Sequence, residues 1–372
     1  MFAIDFSRED KYKTYSKVVW GVIIFLGIIS SLGVYSSVGS LAYRCMKNNT
    51  EYYLIKHVLI VLVSFFSIYM IQNMDYKYFG KLAKIGMVIS IPMLIITWRY
   101  GVKLNEASRW LSIPLWKKSF QPSDLAQVSL IVYLASFYAK NQDKISNIEL
   151  VLIPSMRWII SICGLIALAN VSGAIHLLAV SIMIMFVCRV PLKYIFVIGL
   201  LAFFICSFFV LFGQRSGTAK KRVRSFFSGE KSFQSKHAQI AIVSGGITGK
   251  GVGKSDQRDI LPHPYSDFIY AILVEEYGFL GGLLVLILYL ILLYGAFKIF
   301  NYSKNIYKSF ISISIAISIV MQAFLNISVS VGIFPVTGMT LPFVSMGGTS
   351  LIFSGVSLGV MLSCMKPDKL KF

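Results

Sequence analysis

Long apolar stretches alternate with short polar segments along the whole chain. Each stretch is roughly 20 residues long, the length at which a helix rising ~1.5 Å per residue crosses the ~30 Å hydrocarbon layer of a membrane. The stretches begin near residues 18, 53, 84, 121, 156, 173, 194, 267, 308 and 346, and those near 156 and 173 are short. The pattern predicts about ten transmembrane helices, with one long polar segment between the seventh and the eighth.

The composition agrees with this pattern. Of the 372 residues, 56% are hydrophobic and only 14% are charged, a balance that excludes a soluble globular domain. No small-residue cleavage site follows the first apolar stretch, so we expect this stretch to be a retained anchor. We predict an all-α polytopic membrane protein in which residues 1–372 form a single membrane domain.

Lysine and arginine residues are distributed unevenly between the two sides that ten spans create. With a cytoplasmic amino terminus, the loops on that side carry repeated clusters of cations, in agreement with the positive-inside rule. The clusters are Arg8, Lys11, Lys13 and Lys17; Lys77, Lys81 and Lys84; Lys140, Lys144 and Arg157; Arg189 and Lys193; Lys298, Lys304 and Lys308; and Lys366, Lys369 and Lys371. We predict a multi-pass protein of the plasma (inner) membrane with cytoplasmic tails at 1–17 and 366–372.

The exterior segment 214–266 is unusually basic for a translocated loop. It holds ten cations against three acids, and the cations are Arg215, Lys220, Lys221, Arg222, Arg224, Lys231, Lys236, Lys250, Lys254 and Arg258. One interpretation is a solvated loop attracted to anionic lipid headgroups. The other is a site for a lipid-linked diphosphate, whose negative charges need several cations.

Two familiar kinds of site are not supported by residue spacing. The five cysteines and four histidines form no metal-ligand pattern. The run Gly249–Ser255 resembles a phosphate-binding P-loop, but that motif needs a glycine where Thr248 stands and a strand before it. We interpret the run as a glycine-rich turn, because glycine adopts left-handed conformations freely.

The segment that follows places acids at the start of an apolar helix and inside it. Ser266 is predicted as the N-cap and Asp267 lies in the first turn, where the helix dipole favours a carboxylate. Glu275 and Glu276 follow two turns deeper, where an unpaired charge costs roughly 2.5 to 3.5 kcal/mol. At ~100° per residue, Glu275 can share a face with Asp267 while Glu276 points nearly opposite. We expect Glu275 in a site and Glu276 in a structural pairing between helices.

Other segments add polar residues and broken helix. In Asn105–Leu111, the planar guanidinium of Arg109 suits recognition of a diphosphate or a carboxylate. Gln121 and Asp124 lie at an ordinary helix N-terminus marked by proline. Prolines and glycines interrupt Gly332–Ser350, and at membrane depth such a backbone is tolerated only where it is buried in protein or lines a cavity. We expect this last segment to be a re-entrant cavity wall.

Four blocks together resemble the SEDS family of RodA and FtsW proteins. They read N-E-A-S-R-W from residue 105, F-Q-P-S-D from 120, S-D-F-I-Y-A-I-L-V-E-E-Y-G from 266 after the glycine turn at 244–246, and P-V-T-G-M-T-L-P-F-V-S-M-G-G from 335. Their order and intervals resemble this family over nearly the whole chain. The runs at 261–267 and 345–350 are more similar to the division (FtsW) branch than to the elongation (RodA) branch.

The resemblance implies a peptidoglycan glycosyltransferase that polymerises lipid II on the outer face of the plasma membrane. Asp267 matches the family's essential exterior acid and would accept a proton from the acceptor GlcNAc hydroxyl as it attacks the donor MurNAc with inversion. The implied partners are lipid II, a single-span class B penicillin-binding transpeptidase, other divisome proteins and membrane lipid, with no nucleic acid. A divalent cation, Mg²⁺ or Mn²⁺, is left open, and so is any metal-binding residue.

The same segments supply the residues that we expect to bind substrate. They are Arg109, Gln121, Asp124, Gln239, Lys250, Lys254, Arg258, His263, Ser266, Glu275, Thr337, Ser345, Gly347 and Gly348. Two positions depart from the family pattern: Gln127 stands where the family often has lysine, and Ala169–Ala174 lacks the aspartate of Q-P-D-L-G-T. These departures leave the contributions of the fourth and fifth spans open.

Two other functions fit parts of the same pattern. A lipid II flippase would also use a midplane cavity, broken helices and a basic surface. A non-catalytic scaffold would instead recruit the septal transpeptidase. A glycosyltransferase needs Asp267 at the exterior surface, whereas neither alternative obviously requires it.

Overall fold

Helices dominate a computed structural model that describes residues 6–39, 50–104, 107–113, 118–212 and 232–367, together with Gly217, Arg224 and Ser228. The helices are α1 (Phe6–Ser37), α2 (Thr50–Gln72), α3 (Phe79–Tyr100), α4 (Pro122–Lys140), α5 (Ile153–Ala169), α6 (Val171–Val187), α7 (Leu192–Phe212), α8 (Phe233–Gly245), α9 (Ile269–Tyr302), α10 (Ile306–Val331) and α11 (Gly348–Cys364). Short helical turns cover Tyr76–Tyr78, Gln142–Lys144 and Ile148–Leu152. All of these helices except α8 lie where the hydrophobic pattern predicts a span.

The apolar helices have the dimensions of membrane spans. By length and composition, six of the helices in the described ranges can cross a membrane: Asp10–Ser37, Thr50–Gln72, Tyr76–Tyr100, Ile148–Ala169, Ile269–Tyr302 and Ile306–Val331. The helices Val171–Val187, Leu192–Phe204 and Gly348–Cys364 are apolar and shorter. Phe25, Phe66 and Phe196 are exposed on the outside of the bundle, as expected where lipid is the solvent. The chain is a polytopic helical membrane protein, and the prediction of its fold class is confirmed.

Helix α10 lies in the middle of the bundle. It contacts α4, α6, α9 and α11, and every residue from Lys308 to Val320 is buried. Several of these buried residues are serines, namely Ser309, Ser312, Ser314 and Ser318. Polar side chains therefore enter the membrane interior along a helix that other helices enclose.

A three-stranded antiparallel sheet departs from the all-helical expectation. The strands β1 (Val102–Leu104), β2 (Ala107–Ile113) and β3 (Lys118–Phe120) pair in the order β1-β2-β3 between α3 and α4. Leu111 of β2 pairs with Phe120 of β3, which leads directly into α4. Strands β1 and β3 have only three residues each, and the seven residues of β2, A-S-R-W-L-S-I, do not alternate strictly between apolar and polar. The sequence therefore gives no clear signal for the sheet.

Helix α9 is interrupted at Gly278, where φ is 71° and ψ is −172°. The glycine turn after α8 packs against this break, and the Lys250 amide donates a hydrogen bond to the Glu275 carbonyl at 3.0 Å. The two backbones approach so closely that a Cβ atom on Gly249 would stand 2.1 Å from the Glu276 carbonyl oxygen. The glycine turn is thus a structural element that covers the break in α9.

The two ends of the bundle are built differently. The end that carries strands β1–β3 and the segment 246–268 is called the sheet end; there, Arg258 donates to the Ser36 carbonyl at 3.3 Å. The opposite end is called the terminal end, because α11 finishes there. The buried Lys308 donates to the Lys366 carbonyl at 2.8 Å and lies 4.5 Å from the centroid of the Tyr76 ring. These contacts fix α10 and α11 to the turn between α2 and α3.

Candidate functional site

A cavity of about 550 Å³ lies at the sheet end of the bundle. Its lining comes from α4, α5, α6, α10, α11 and the segments 263–267 and 336–347, together with Trp110 of β2 and Gln234 of α8. Polar side chains line the part near the sheet, whereas Ile131 and Ile315 line the part that lies deeper between the helices. The cavity therefore offers a polar region followed by an apolar region inside the bundle.

Asp267 lies in the cavity lining, in the turn before α9. The Ser266 hydroxyl donates a hydrogen bond to Asp267 Oδ1 at 2.9 Å. Gly338 lies beside the other carboxylate oxygen, because a Cβ atom at that glycine would stand 3.3 Å from Oδ2. The absence of a side chain on Gly338 leaves room for a reacting group next to the carboxylate.

The backbone around Asp267 is held from two directions. Asn326 of α10 donates through Nδ2 to the Asp267 carbonyl at 2.9 Å and to the Met339 carbonyl at 2.7 Å. The Ser345 hydroxyl donates to the Ser266 carbonyl at 2.6 Å. The position of Asp267 thus depends on α10 and on the broken segment before α11.

The turn that carries Asp267 differs from the predicted helix N-terminus. Helix α9 begins at Ile269, and its N-cap residue Phe268 makes no side-chain capping bond. His263 adopts a left-handed φ of 57°, and its carbonyl accepts hydrogen bonds from the amides of Ser266 and Asp267 at 3.1 and 3.2 Å. Residues 263–267 therefore form a turn of their own before α9 begins. The prediction that Ser266 caps the helix and Asp267 occupies its first turn is therefore wrong.

A second carboxylate lies across the cavity on α4. Asp124 Oδ2 accepts a hydrogen bond from the Thr349 hydroxyl at 3.4 Å. One turn further along α4, Gln127 donates to the Ser318 hydroxyl at 3.4 Å. The side chain that stands where the family often has lysine thus makes a neutral contact with α10, and Asp124 is held by a hydroxyl.

Seven of the predicted site residues line the cavity: Gln121, Asp124, His263, Ser266, Asp267, Thr337 and Gly347. Ser345 is buried behind the lining and Gly348 begins α11. Gln239, Lys250, Lys254, Arg258 and Glu275 are not part of the lining. The side chain of Arg109 lies outside the described residues, as do the whole of Asn105 and Glu106.

Glu275 does not face the cavity with Asp267, contrary to the prediction. Its fully buried carboxylate is bound by Lys250 Nζ at 2.8 Å, the Ser244 hydroxyl at 3.2 Å and the Ser255 hydroxyl at 2.5 Å. A buried carboxylate needs such partners to offset its loss of hydration. Glu275 therefore fixes the segment 244–257 to α9, and its prediction as a substrate-binding residue has no support in this geometry.

Lys250 likewise pairs with nearby acids and does not line the cavity. Its ammonium lies 2.7 Å from Asp256 and 2.8 Å from Glu275. These two carboxylates, Asp256 first, raise the pKa of Lys250 above its usual value. Because Lys250 is already paired with two acids, it is poorly placed to neutralise a diphosphate. Lys254 is exposed on the same segment.

Glu276 lies next to α1. The Ser36 hydroxyl donates a hydrogen bond to Glu276 Oε1, and Glu276 itself is almost fully buried. The contact joins α1 to α9 near the break at Gly278. It matches the expected structural pairing between helices.

The sequence reading left several cavity residues unassigned. Ser318, Gln322 and Asn326 recur every four residues on α10 and therefore share one face; of these, Ser318 and Gln322 line the cavity. Gln322 donates to the Thr340 carbonyl at 3.0 Å. Three polar residues at this spacing in an apolar helix were a signal for a polar surface. In the described part of the chain, no group of three or more His, Cys, Asp and Glu residues is placed to hold a metal ion.

The fold and the cavity together define a polytopic membrane protein with two carboxylates facing a cavity at one end of its helix bundle. The family described as cell cycle protein, which groups FtsW, RodA and SpoVE, matches residues 16–369. The chain belongs to this family, and the family resemblance found in the four sequence blocks is confirmed.

Curated relatives match most of the chain. The probable peptidoglycan glycosyltransferase FtsW of Wigglesworthia glossinidia brevipalpis is 29% identical over 363 residues, which cover 92% of this chain and 92% of the relative. Stage V sporulation protein E of Bacillus subtilis (strain 168) is 29% identical over 352 residues, covering 92% and 95%. The chain is therefore FtsW-like within its family.

The fold is also similar to solved structures. One is described as "Structural coordination of polymerization and crosslinking by a peptidoglycan synthase complex"; its chain has a TM-score of 0.74 and 23% identity, with coverage of 93% of this chain and 97% of the other. At this identity the likeness concerns the fold.

Proposed function

We propose that this chain is a peptidoglycan glycosyltransferase that polymerises lipid II into glycan strands and releases undecaprenyl diphosphate. The observation that carries the proposal is the position of Asp267 in the lining of a cavity of about 550 Å³. A carboxylate whose backbone is fixed in this way can serve as general base for a hydroxyl that enters the cavity. Its FtsW relatives are described as probable peptidoglycan glycosyltransferases, which supports glycosyl transfer as the reaction.

In the proposed reaction, Asp267 accepts the proton of the acceptor GlcNAc hydroxyl. The hydroxyl oxygen forms a bond to the anomeric carbon of the donor MurNAc, and the bond from that carbon to the diphosphate breaks. The lipid diphosphate leaves with the bonding electron pair, and the anomeric centre is inverted. The hydrogen bond from the Ser266 hydroxyl to Oδ1 fixes the orientation of the carboxylate that accepts this proton.

The charges around the cavity suggest how the substrate is oriented. Asp267 lines the cavity and, in the ionised form that the proposed reaction uses, would repel a diphosphate. We therefore place the sugar units in the cavity, against Gln121, His263 and Thr337. The diphosphate would then lie towards the cations of the sheet end. A Mg²⁺ or Mn²⁺ ion would take its ligands largely from this diphosphate, and polymerisation after EDTA treatment and metal add-back tests for it.

The basic residues support an orientation in the plasma membrane. Cations recur in the turns of the terminal end, at Lys77, Lys140, Lys304 and Lys308, and cytoplasmic loops are generally rich in such residues. We propose that both termini are cytoplasmic and that the sheet end is extracytoplasmic. The residues 214–266 then form an extracytoplasmic segment that contains α8.

We also propose a role in cell division together with a transpeptidase. Two observations support this role: relatives of the chain are FtsW proteins, and its fold is similar to that of a chain from a structure described as a peptidoglycan synthase complex that coordinates polymerisation and crosslinking. The proposed partner is a class B penicillin-binding transpeptidase, and other divisome proteins would join the same assembly.

Polymerisation of labelled lipid II by the purified protein with its transpeptidase tests the proposal. We expect Asp267→Ala and Asp267→Asn to lower the rate by at least about 100-fold, because proton transfer by a positioned base contributes about this much. Asp143→Asn is the matched control, because Asp143 is an exposed acid in the turn Gln142–Lys144 at the terminal end and does not line the cavity.

Other outcomes favour the rival functions. Equal polymerisation by wild-type and Asp267→Ala protein removes Asp267 as the base. If neither protein polymerises but both move lipid II across liposomes, the protein is a flippase. If neither does so and Asp267→Ala still supports division in cells, the protein acts as a scaffold for the transpeptidase.

A further inference from the structure

The segment Leu341–Met346 forms a turn beneath the catalytic segment. Phe343 in this turn is buried and has a φ of 60°, in the left-handed region that a bulky side chain rarely adopts. Such a conformation persists only where neighbouring groups over-determine it. The contacts that surround this turn therefore determine whether it keeps its shape.

Two of these contacts come from α9 and α2. The Tyr289 hydroxyl of α9 donates to the Pro342 carbonyl. The Phe65 ring of α2 packs edge-on against the Phe343 ring, with 5.6 Å between the centroids. Both contacts hold the first half of the turn.

The second half of the turn is held by a pair of buried polar residues from α1 and α2. The Ser30 hydroxyl lies 2.8 Å from the Val344 carbonyl oxygen and 2.8 Å from His57 Nε2. Ser30 is 0% exposed and His57 is 1% exposed. Because the carbonyl can only accept, Ser30 donates to Val344 and must accept from His57. His57 therefore carries its proton on Nε2 in this arrangement.

The same turn is bonded to the segment that carries Asp267. Ser345 follows Val344 and donates to the Ser266 carbonyl at 2.6 Å. The Met346 amide donates to the Tyr265 carbonyl at 2.9 Å. A continuous set of hydrogen bonds thus leads from His57 through Ser30 and the turn to the residues directly before Asp267.

We infer that Ser30 and His57 are positioning residues for Asp267, which they place through the turn Leu341–Met346. This inference rests on the proposed glycosyltransferase function. Neither side chain lines the cavity, so the pair acts on the placement of the carboxylate and not on the substrate. Misplacing a catalytic group by a small distance lowers the rate of chemistry more than it weakens substrate binding.

The first test compares His57→Leu, His57→Gln and a matched control. Leucine fills the site but leaves Ser30 without its donor, so we expect kcat for lipid II polymerisation to fall about tenfold with KM within about twofold. Glutamine returns an N–H near the position of Nε2 and should restore kcat to within about threefold of wild type. Ser64→Ala is the control, because this buried hydroxyl lies two turns along α2 and bonds only to the Ile60 carbonyl of its own helix.

The second test is a double-mutant cycle. If His57 acts through Ser30, the protein with Ser30→Ala and His57→Leu together should lose no more activity than the more damaged single variant. If the double variant instead loses activity by the product of the two single-variant losses, the two residues act independently. That outcome would overturn the proposed pair.

The third test does not depend on activity. Hydrogen exchange in nanodiscs should show the amides of Ser345, Met346 and Asp267 exchanging about tenfold faster in His57→Leu than in Ser64→Ala, equal to about 1.4 kcal/mol. Unchanged exchange would overturn the inference even if activity fell. If exchange accelerates but the wild type does not polymerise lipid II, the proposed function fails while the structural coupling remains.

Discussion

Gly338 lies beside the carboxylate of Asp267, and its lack of a side chain shapes the space next to that carboxylate. Gly338 has a φ of 67°, and a Cβ atom there would stand 3.3 Å from Asp267 Oδ2. The glycine thus meets two demands at once, since it adopts a left-handed backbone and leaves space beside the reacting oxygen. Most other residue types would fail in both respects.

Replacing Gly338 with alanine should therefore slow polymerisation. A left-handed alanine costs about 1–2 kcal/mol, and the methyl group narrows the space beside Oδ2, so we expect a rate at least about tenfold lower. Gly164→Ala is the matched control, because nothing lies within 4 Å of a Cβ at that position in α5. Lipid II polymerisation by both proteins is the measurement, and equal rates would contradict this account of Gly338.

Replacing Asn326 with leucine should loosen the catalytic segment. The change removes one donor group that serves the carbonyls of both Asp267 and Met339. Leaving a buried carbonyl without its partner costs about 1–3 kcal/mol, so we expect a lower unfolding temperature in detergent together with a lower polymerisation rate. Asn301→Leu is the control, because Asn301 is exposed near the end of α9. This substitution should change neither the unfolding temperature nor the polymerisation rate.

For single residues, the sequence predicted which side chains belong to the site better than it predicted the contacts that those side chains make. Asp267 and Asp124 were both predicted as site residues, and the structure places both in the lining of one cavity. Glu275 was placed on the wrong side, since helical angles do not apply across the turn before α9. The hydrogen bonds of Asn326 join segments far apart in the chain, and no local pattern contains them.

Among the elements, the break in α9 and the glycine turn that covers it form one unit. The turn supplies amides to carbonyls that the interrupted helix leaves without partners. The amides of Lys250 and Gly251 donate hydrogen bonds to the backbone carbonyls of Glu275 and Glu276, respectively. In the other direction, the Phe279 amide donates to the Gly246 carbonyl at 2.8 Å. Backbone contact on this scale is possible only because glycines occupy the positions of closest approach.

Gly249→Ala should release the glycine turn, whereas Gly253→Ala should leave it in place. Both glycines have positive φ, 84° and 75°, so the two substitutions carry a similar backbone cost. Only Gly249 would bring its Cβ against the Glu276 carbonyl, at 2.1 Å, whereas nothing lies near Gly253. We expect hydrogen exchange of the Lys250 and Gly251 amides to rise at least about tenfold more in the Gly249 variant. Similar exchange in both variants would mean that close packing does not hold the turn.

The elements were predictable where burial in lipid imposes a long apolar stretch. Ten helices lie close to their predicted positions for that reason. The sheet between α3 and α4, the helix α8 and the break at Gly278 depend on short segments and on single glycines. The strands β1 and β3 and the break at Gly278 span too few residues to repeat a pattern. Helix α8 has 13 residues, but its first half, F-Q-S-K-H, is too polar to resemble a membrane span.

The whole molecule has an orientation that can be tested in cells. A membrane-impermeant maleimide should label Val252→Cys at the sheet end without permeabilisation and should label Lys304→Cys at the terminal end only after it. Val252 and Lys304 are both exposed. Both variants also carry Cys45→Ser and Cys206→Ser, so that these two cysteines cannot be labelled. The other native cysteines, Cys163, Cys188 and Cys364, are buried and should not react. The reverse labelling pattern would invert the proposed topology.

The cavity is assembled from both the middle and the end of the chain. Asp124 lies in the first turn of α4, Asp267 precedes α9, and the segment 336–347 with α11 completes the lining. Since the ribosome delivers the amino-terminal part first, a growing chain lacks one side of the cavity until its final helix has entered the membrane. A growing chain without α11 therefore has no complete cavity, and we expect glycosyltransferase activity only after α11 has packed against the other helices.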